Sequence, residues 1–201
     1  MKHLKNYKDY RIFENIQTDE EIHELCRKYR IENYTINEDN SIDVDGNVFL
    51  YKRYLTKLPL KFRNISGSFY CYDNNLTTLE GVPKSVNRDF YCFNNNLTTL
   101  KGAPRRVEGN FNCMYNKNLM SLEGISSTIH GDFNCYGTPV YYFWNNFLNE
   151  DKSLIDSFVE EWDVIHEDTV IIEVLEGWME DNNINVEIDI EKIKSLGYKI
   201  E

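Results

Sequence analysis

The sequence predicts an α+β chain built around a short β-solenoid, and three observations carry that prediction. Phe69, Phe90, Phe111 and Phe133 recur at steps of 21, 21 and 22 residues, and Cys71, Cys92, Cys113 and Cys135 recur at the same steps. Ile65, Val86, Val107 and Ile129 keep the same period. The spacing Phe-x-Cys-x-x-Asn-x-Leu-x-x-Leu links these columns, as in "GSFYCYDNNLTTLEGV" (67–82) and "RDFYCFNNNLTTLKGA" (88–103). The expected organisation is an N-terminal helical cap over 1–45, about five solenoid turns of 21–22 residues over 46–140, and an acidic α+β cap over 141–201.

The first expected element is a helix over about 19–30, because Thr18 and Glu21 form a capping-box pair. Ile22, Leu25, Cys26 and Tyr29 then recur at helical spacing. A solenoid exposes apolar core at its first turn, so this helix is expected to cap it. Stepping back 21 residues from Phe69 and Cys71 gives Val48 and Leu50, a degenerate first turn in which Gly46 matches Gly67 and Leu55 and Leu58 match Leu76 and Leu79.

Within each turn a short strand alternates its faces, so Phe69 and Cys71 point inward while Leu76, Leu79 and Val86 close the coil from other sides. Asn74, Asn95 and Asn116 are expected to form an internal ladder that satisfies backbone groups left unpaired at a tight bend. Gly81 and Gly102, followed by Pro83 and Pro104, turn the chain back. The return arc of roughly seven residues is too short for a typical helix and should be extended or turn-like. This pattern reads as a leucine-rich repeat with Phe and Cys at two inward leucine positions.

Past residue 140, Phe143/Phe147 and Leu154/Phe158/Trp162 stand at i, i+4 spacing, which predicts helix within 141–162. A second helix is expected over about 169–181 with Val170, Val174, Leu175 and Trp178 on one side. A short strand at 184–188, a helix at 189–196 and a final "GYKIE" complete the expected cap.

"ISGSFYCYDNNLTTLEGVPKSV" and "VEGNFNCMYNKNLMSLEGI", preceded by "YTINEDNSIDVDGNVFL", resemble the leucine-rich-repeat proteins of large tailed bacteriophages. The resemblance covers roughly residues 30–140 and is specific for fold. It implies an interaction module acting on a host factor in the bacterial cytoplasm, and says little about any activity. Two positions depart from the pattern: Arg88, where neighbouring turns have Gly, and Thr138, where the ladder Asn is missing.

The chain has 201 residues and a net charge of −11, unevenly distributed. Residues 1–45 carry 7 basic and 11 acidic side chains, 46–140 carry 11 and 6, and 141–201 carry 4 and 16. An acidic whole argues against direct nucleic-acid binding, which draws most of its affinity from phosphate neutralisation. No apolar run is long enough to span a bilayer, so no membrane partner is expected. The first residues have neither an apolar core nor a small-residue cleavage site, so no secretory signal is expected. The expected compartment is therefore the cytoplasm, with reduced thiols.

Catalytic and metal constellations are missing from the sequence. Cysteines one strand apart sit about 4.8 Å from each other, too far for a disulfide without movement. Zinc needs four ligands around one point, and only His23 and Cys26 are close in sequence. His3, His23, His130 and His166 are scattered, with no nucleophile elbow. "LEGVPK" and "LKGAPR" lack the spacing of a phosphate loop. The expectation is a protein without enzymatic activity, metal or cofactor.

If Phe69 and Cys71 point inward, their neighbours point out. One outward column holds Phe49, Tyr70, Tyr91, Asn112 and Asn134, and the next holds Tyr51, Tyr72, Phe93, Met114 and Tyr136. A small polar column of Asn47, Ser68, Asp89, Asn110 and Asp132 flanks them. The candidate partner-binding residues are Phe49, Tyr51, Tyr70, Tyr72, Tyr91, Phe93, Met114 and Tyr136, since Tyr and Met are interface-enriched. Such columns also stabilise neighbouring strands by about 0.2–1 kcal/mol per pair. A basic column, Arg63, Lys84 and Arg105, reads as a solvated edge. A second candidate function places activity in the acidic C-terminal region, as an inhibitor or decoy for a basic, nucleic-acid-binding target.

Overall fold

A computed structural model describes residues 18–201; the first 17, with His3 and the stretch read for a secretory signal, lie outside the described residues. Helix α1 spans Asp19–Tyr29, and the Glu21 N–H donates to Thr18 Oγ1 at 3.3 Å, as the capping-box spacing requires. Asp19, Glu20 and Glu21 complement the positive end of the helix dipole. Arg30 ends the helix in the left-handed conformation, returning its N–H to the Arg27 and Cys26 carbonyls. Ile22, Leu25 and Cys26 form the buried face and join the same apolar core as the coil.

A β-solenoid follows, made of two stacked sheets of very short strands. One sheet contains β3 (Val48–Phe49), β5 (Phe69–Tyr70), β7 (Phe90–Tyr91), β9 (Phe111–Asn112) and β11 (Phe133–Asn134), all parallel. The other stacks β2 (Ile42–Val44), β4 (Phe62–Ile65), β6 (Ser85–Val86), β8 (Arg106–Val107) and β10 (Thr128–Ile129) in parallel. Its edge strand β1 (Tyr34–Ile36) runs antiparallel to β2. The return arcs expected to be extended thus pair into a sheet of their own. Five rungs enclose about four turns rather than five, because the chain leaves the coil after Cys135 and enters a helix. The register is that of the sequence period: Val48 pairs with Phe69, Phe69 with Phe90, Phe90 with Phe111 and Phe111 with Phe133.

The interior is built as the spacing indicates. Phe69, Phe90 and Phe111, Cys71, Cys92, Cys113 and Cys135, and Leu76, Leu79, Leu97 and Leu100 are completely buried. The asparagine ladder is present, with each amide serving two turns. Asn95 Nδ2 donates to the carbonyls of Cys92 at 3.0 Å and, one turn back, Cys71 at 3.1 Å, while its Oδ1 accepts the Leu76 N–H at 2.9 Å. Asn74 and Asn116 repeat the arrangement. At the ladder's end Thr138 Oγ1 donates to the Cys135 carbonyl at 2.7 Å and accepts the Tyr141 N–H at 3.2 Å, turning the ladder into the start of the next helix.

A second ladder went unread in the sequence. Asn47 Oδ1 accepts the Ser68 N–H, Ser68 Oγ the Asp89 N–H, Asp89 Oδ1 the Asn110 N–H, and Asn110 Oδ1 the Asp132 N–H. The small polar column is therefore spent on backbone groups and is not a free flank of the exposed face. It also bears on Arg88, together with the backbone of the turn below, since a Cβ on Gly67 would lie 2.6 Å from the Gly46 carbonyl. A Cβ on Gly67 would lie 2.3 Å from Asn47 Oδ1, and one on Gly109 would lie 2.4 Å from Asp89 Oδ1. Arg88 stacks above Ser68, whose side chain is one atom shorter, and there the ladder bond lengthens to 3.2 Å from 2.7–2.8 Å elsewhere.

Residues beyond 140 form α2 (Tyr141–Asn146), a 3₁₀ turn (Lys152–Leu154), a π turn (Ser157–Glu161), β12 (Ile165–His166), β13 (Thr169–Val170), α3 (Ile172–Asp181), α4 (Ile190–Ser195) and β14 (Lys199–Ile200). The strands form a sheet in the order β12, β13, β14. Two expectations are corrected here. The helix expected from about 169 starts at Ile172, because Thr169 and Val170 pair with β12 and β14. The segment 184–188 alternates half-buried and exposed side chains as a strand would, but pairs with no strand. Phe143, Phe147, Phe158, Leu175 and Trp178 are buried in the core shared with the coil. Tyr198 donates its hydroxyl to the Met120 carbonyl at 2.6 Å, and Lys152 Nζ donates to the carbonyls of Ile129 at 2.9 Å and Gly131 at 2.6 Å. One turn back the equivalent carbonyls, of Val107 and Gly109, accept the N–H groups of His130 and Gly131, so Lys152 takes the place of the donors a further turn would supply. Among the described residues no helix is long and apolar enough to cross a membrane.

Candidate functional site

The outward columns of the five-stranded sheet form the candidate site. Rung stacking sets their geometry: parallel strands in register place equivalent side chains about 4.8 Å apart, close to the contact distance of flat rings. Phe49 stacks on Tyr70 at 5.3 Å and 5°, Tyr51 on Tyr72 at 4.8 Å and 3°, and Tyr72 on Phe93 at 4.3 Å and 10°. Tyr70 meets Tyr91 edge-on at 5.4 Å. Across the columns the pairs Phe49–Tyr51, Tyr70–Tyr72 and Tyr91–Phe93 lie 6.2–6.3 Å apart. These six rings make one continuous two-by-three slab.

The slab does not extend through all eight candidate residues. Met114 is half-buried beside it, and Tyr136 stands apart in a second aromatic group with Tyr115 and Tyr141. Between the groups, Asn112 and Asn134 turn their Oδ1 atoms back onto the N–H groups of Met114 and Tyr136. A cavity of about 450 Å³, lined by Met114, Asn134, Tyr136, Tyr141 and Glu150 among others, lies at this end of the face.

Sequence reading missed Tyr115 and Tyr54. Both take left-handed backbone conformations, at φ 56 and φ 57, and both are exposed. Tyr115 belongs to a column of left-handed residues, with Lys52, Asp73, Asn94 and Gly137, that turns the chain out of each rung. The Asp, Asn and Gly in that column were the available signal, since these types tolerate that conformation.

Stacking shades the inner rings. Tyr70, Tyr72, Tyr91 and Phe93 are half-buried, whereas Phe49 and Tyr51, which end the stacks, keep 47% and 38% of their surface. Burial raises the Tyr72 phenol above its ordinary pKa, helped by the neighbouring Tyr51, Asp73 and Tyr70. Among the described residues, the hydroxyls of Tyr51, Tyr70, Tyr72 and Tyr91 have no hydrogen-bond partner. The slab therefore presents ring surface and free phenols together.

The cysteines lie behind this face as core. Burial pushes the thiols of Cys71, Cys92 and Cys113 far above their ordinary range and that of Cys135 up to about 12, and all five are free. Such thiols are poor nucleophiles and poor metal ligands. His23 Nδ1 lies 2.5 Å from the Tyr34 hydroxyl, and burial raises the nearby Cys26 thiol to about 11. Among the described residues no cluster of His, Cys, Asp and Glu could hold a metal ion. Arg63, one of the three basic-column residues, is drawn into an ion pair with Asp43. Comparison with protein-family models, curated proteins and solved structures found no match for this chain.

Proposed function

We propose that this protein is a non-enzymatic interaction module that binds a protein partner through the aromatic slab. In this reading the coil is a leucine-rich-repeat-type solenoid of the kind found in bacteriophages. Helix α1 and residues 141–201 close its two ends, and the partner is a host cytoplasmic factor. The observation that carries the proposal is the set of four phenols without internal partners on six packed rings. A stack serving only strand stability has no need of hydroxyls, and Phe at each position would stack as well.

Size narrows the partner. Five rungs at about 4.8 Å span only about 20 Å, and a standard interface needs about 800 Å² per side. The slab suits an extended peptide segment, or the central anchor of a contact that also uses neighbouring loops.

The test is affinity capture from bacterial lysate with mass spectrometry, comparing the native chain with two variants. Tyr70→Ala/Tyr91→Ala/Phe93→Ala should abolish capture. Tyr70→Phe/Tyr72→Phe/Tyr91→Phe keeps the stacks and removes only the hydroxyls, and should weaken binding of the captured protein by at least about 30-fold, the equivalent of about 2 kcal/mol at a hot spot. Undiminished capture by the alanine variant at a lowered melting temperature would assign the slab to stability alone, and undiminished capture by the Tyr→Phe variant would remove the hydroxyls as the ground for the proposal.

A further inference from the structure

Residues 184–190, INVEIDI, alternate apolar and polar side chains. Ile184, Val186 and Ile188 are half-buried, whereas Asn185, Glu187 and Asp189 stand in solvent. This is the pattern of a strand with one covered face. The segment nevertheless belongs to no sheet, and among the described residues the backbone N–H and C=O groups of 185–188 form no hydrogen bond. Its apolar side chains lean toward α3, and with Ile172, Met179 and Ile190 they floor an open groove of about 470 Å³. Glu176 and Glu180, one helical turn apart, line the α3 side. Neither of them, nor Glu187, has a cationic partner among the described residues, and on the adjacent helix α4 Lys194 is already paired with Glu191.

We propose that this groove is a second docking site, which takes an extended protein segment carrying Lys or Arg at alternate positions and adds it as a strand beside 185–188. Three features select that occupant together. An unpaired extended backbone is a template for another strand, and main-chain hydrogen bonds then supply affinity. The aliphatic floor accepts every second side chain of the incoming segment, and the carboxylates select basic residues for the others. A nucleic acid would bring phosphates against those same carboxylates. A second copy of the chain would bring its own C-terminal region, with 16 acidic and 4 basic residues, against this one. The site lies on residues 172–190 and does not depend on the aromatic slab.

The probe is a synthetic Lys-Val-Lys-Ile-Lys-Val-Lys peptide, titrated into the full chain and followed by calorimetry and by backbone amide NMR. Two control peptides carry Glu in place of Lys, or Pro in place of Val and Ile. The basic peptide should bind at least about tenfold more tightly than either control, a gap of about 1.4 kcal/mol, and should weaken as salt rises. The amides of Val186 and Ile188, which share one edge of an extended segment, should gain protection from exchange on binding. Val186→Pro removes one of these N–H groups and breaks no backbone bond of the free chain. It should abolish binding, and the Tyr→Phe slab variant should bind as the native chain does. Equal binding of the acidic peptide, full binding by Val186→Pro, or amide shifts confined to other elements would each overturn the proposal. A chain dimer that Val186→Pro dissociates would overturn it in favour of a second copy as the occupant.

Discussion

In the coil, hydrogen bonds run from one rung to the next, and each side chain has its own copy 21 or 22 residues away as its neighbour. In residues 141–201 the bonds are singular: Trp178 Nε1 donates to Ser157 Oγ at 2.8 Å, and Tyr198 reaches back to Met120. The coil buries polar side chains in ladders that satisfy two turns at once, whereas the C-terminal region closes around aromatic contacts such as Phe158 on Trp178 at 4.9 Å. A repeat makes every residue serve as environment for the next, so one position's chemistry constrains the whole column. The C-terminal region has no such constraint, and each of its contacts is a separate solution. The two regions also carry separate probes. Trp144, Trp162 and Trp178 all lie beyond residue 140, while all five cysteines lie at or before residue 135.

The largest expected difference between the regions is in alkali. Burial raises the thiol pKa values of Cys71, Cys92, Cys113 and Cys135 above the ordinary value near 9.0, and a buried thiol must stay protonated. Below that ordinary value folded and unfolded chains hold the same thiol protons, so the stability is fully present. As pH rises beyond it the unfolded chain releases protons that the native state keeps. Stability should then fall by about 1.4 kcal/mol per pH unit for each thiol, or about 6 kcal/mol per pH unit for four. Against a typical total of about 5–15 kcal/mol, unfolding should occur one to three units above the ordinary thiol value, with thiol reactivity appearing at the same pH. Urea midpoints that stay constant over this range would show that burial of the thiols does not govern the coil's stability.

The ladder comes next. Asn95→Leu keeps the volume but strands the Leu76 N–H in the core, and it takes one of two amide donors from each of the Cys71 and Cys92 carbonyls, which keep Asn74 and Asn116. At roughly 1–3 kcal/mol for the orphaned N–H and about 1 kcal/mol for each of the two lost bonds, the cost should be about 4 kcal/mol. Thr138→Val, at the junction with the C-terminal region, should cost about 1–2 kcal/mol by the same reasoning. Urea denaturation of both variants measures the gap, and equal costs would mean that the ladder's interior rungs carry no more than its end.

These differences account for what the sequence revealed. Phe, Cys, Asn and Leu columns were legible because any error of register would have broken every rung, so the inward positions and the outward slab both followed from one period. Arg88 was legible only as an exception. Two features accompany it: the short side chain of Ser68 beneath, and a backbone N–H that does not bond to Gly67 as the glycines of other turns bond to theirs. Both arise between turns, and no local pattern displays them. In the C-terminal region, residues 184–188 had the alternation of a strand, yet pairing depends on what lies alongside, and β14 took the place beside β13. The isolated Tyr136 group was missed because the period gives columns, not where a stack breaks; the asparagines at 112 and 134 interrupt the rings by folding back on their own backbone.

The smallest expected effect joins the two regions. Tyr198 is nearly completely buried, its ring edge-on to Phe143 at 5.2 Å, and its hydroxyl is held by Met120 on the coil. Tyr198→Phe keeps the ring and removes one neutral hydrogen bond, which should cost about 1 kcal/mol. The informative readout is the pair of probes: tryptophan fluorescence for the C-terminal region and thiol protection for the coil. A shared core running from α1 to α4 requires both curves to move together to the lower midpoint with unchanged slope. If only the tryptophan curve moves, residues 141–201 unfold on their own and the coil's last turn is stable without them. In that case Lys152, with its two bonds to Ile129 and Gly131, would be an attachment to a coil that already ends at Cys135.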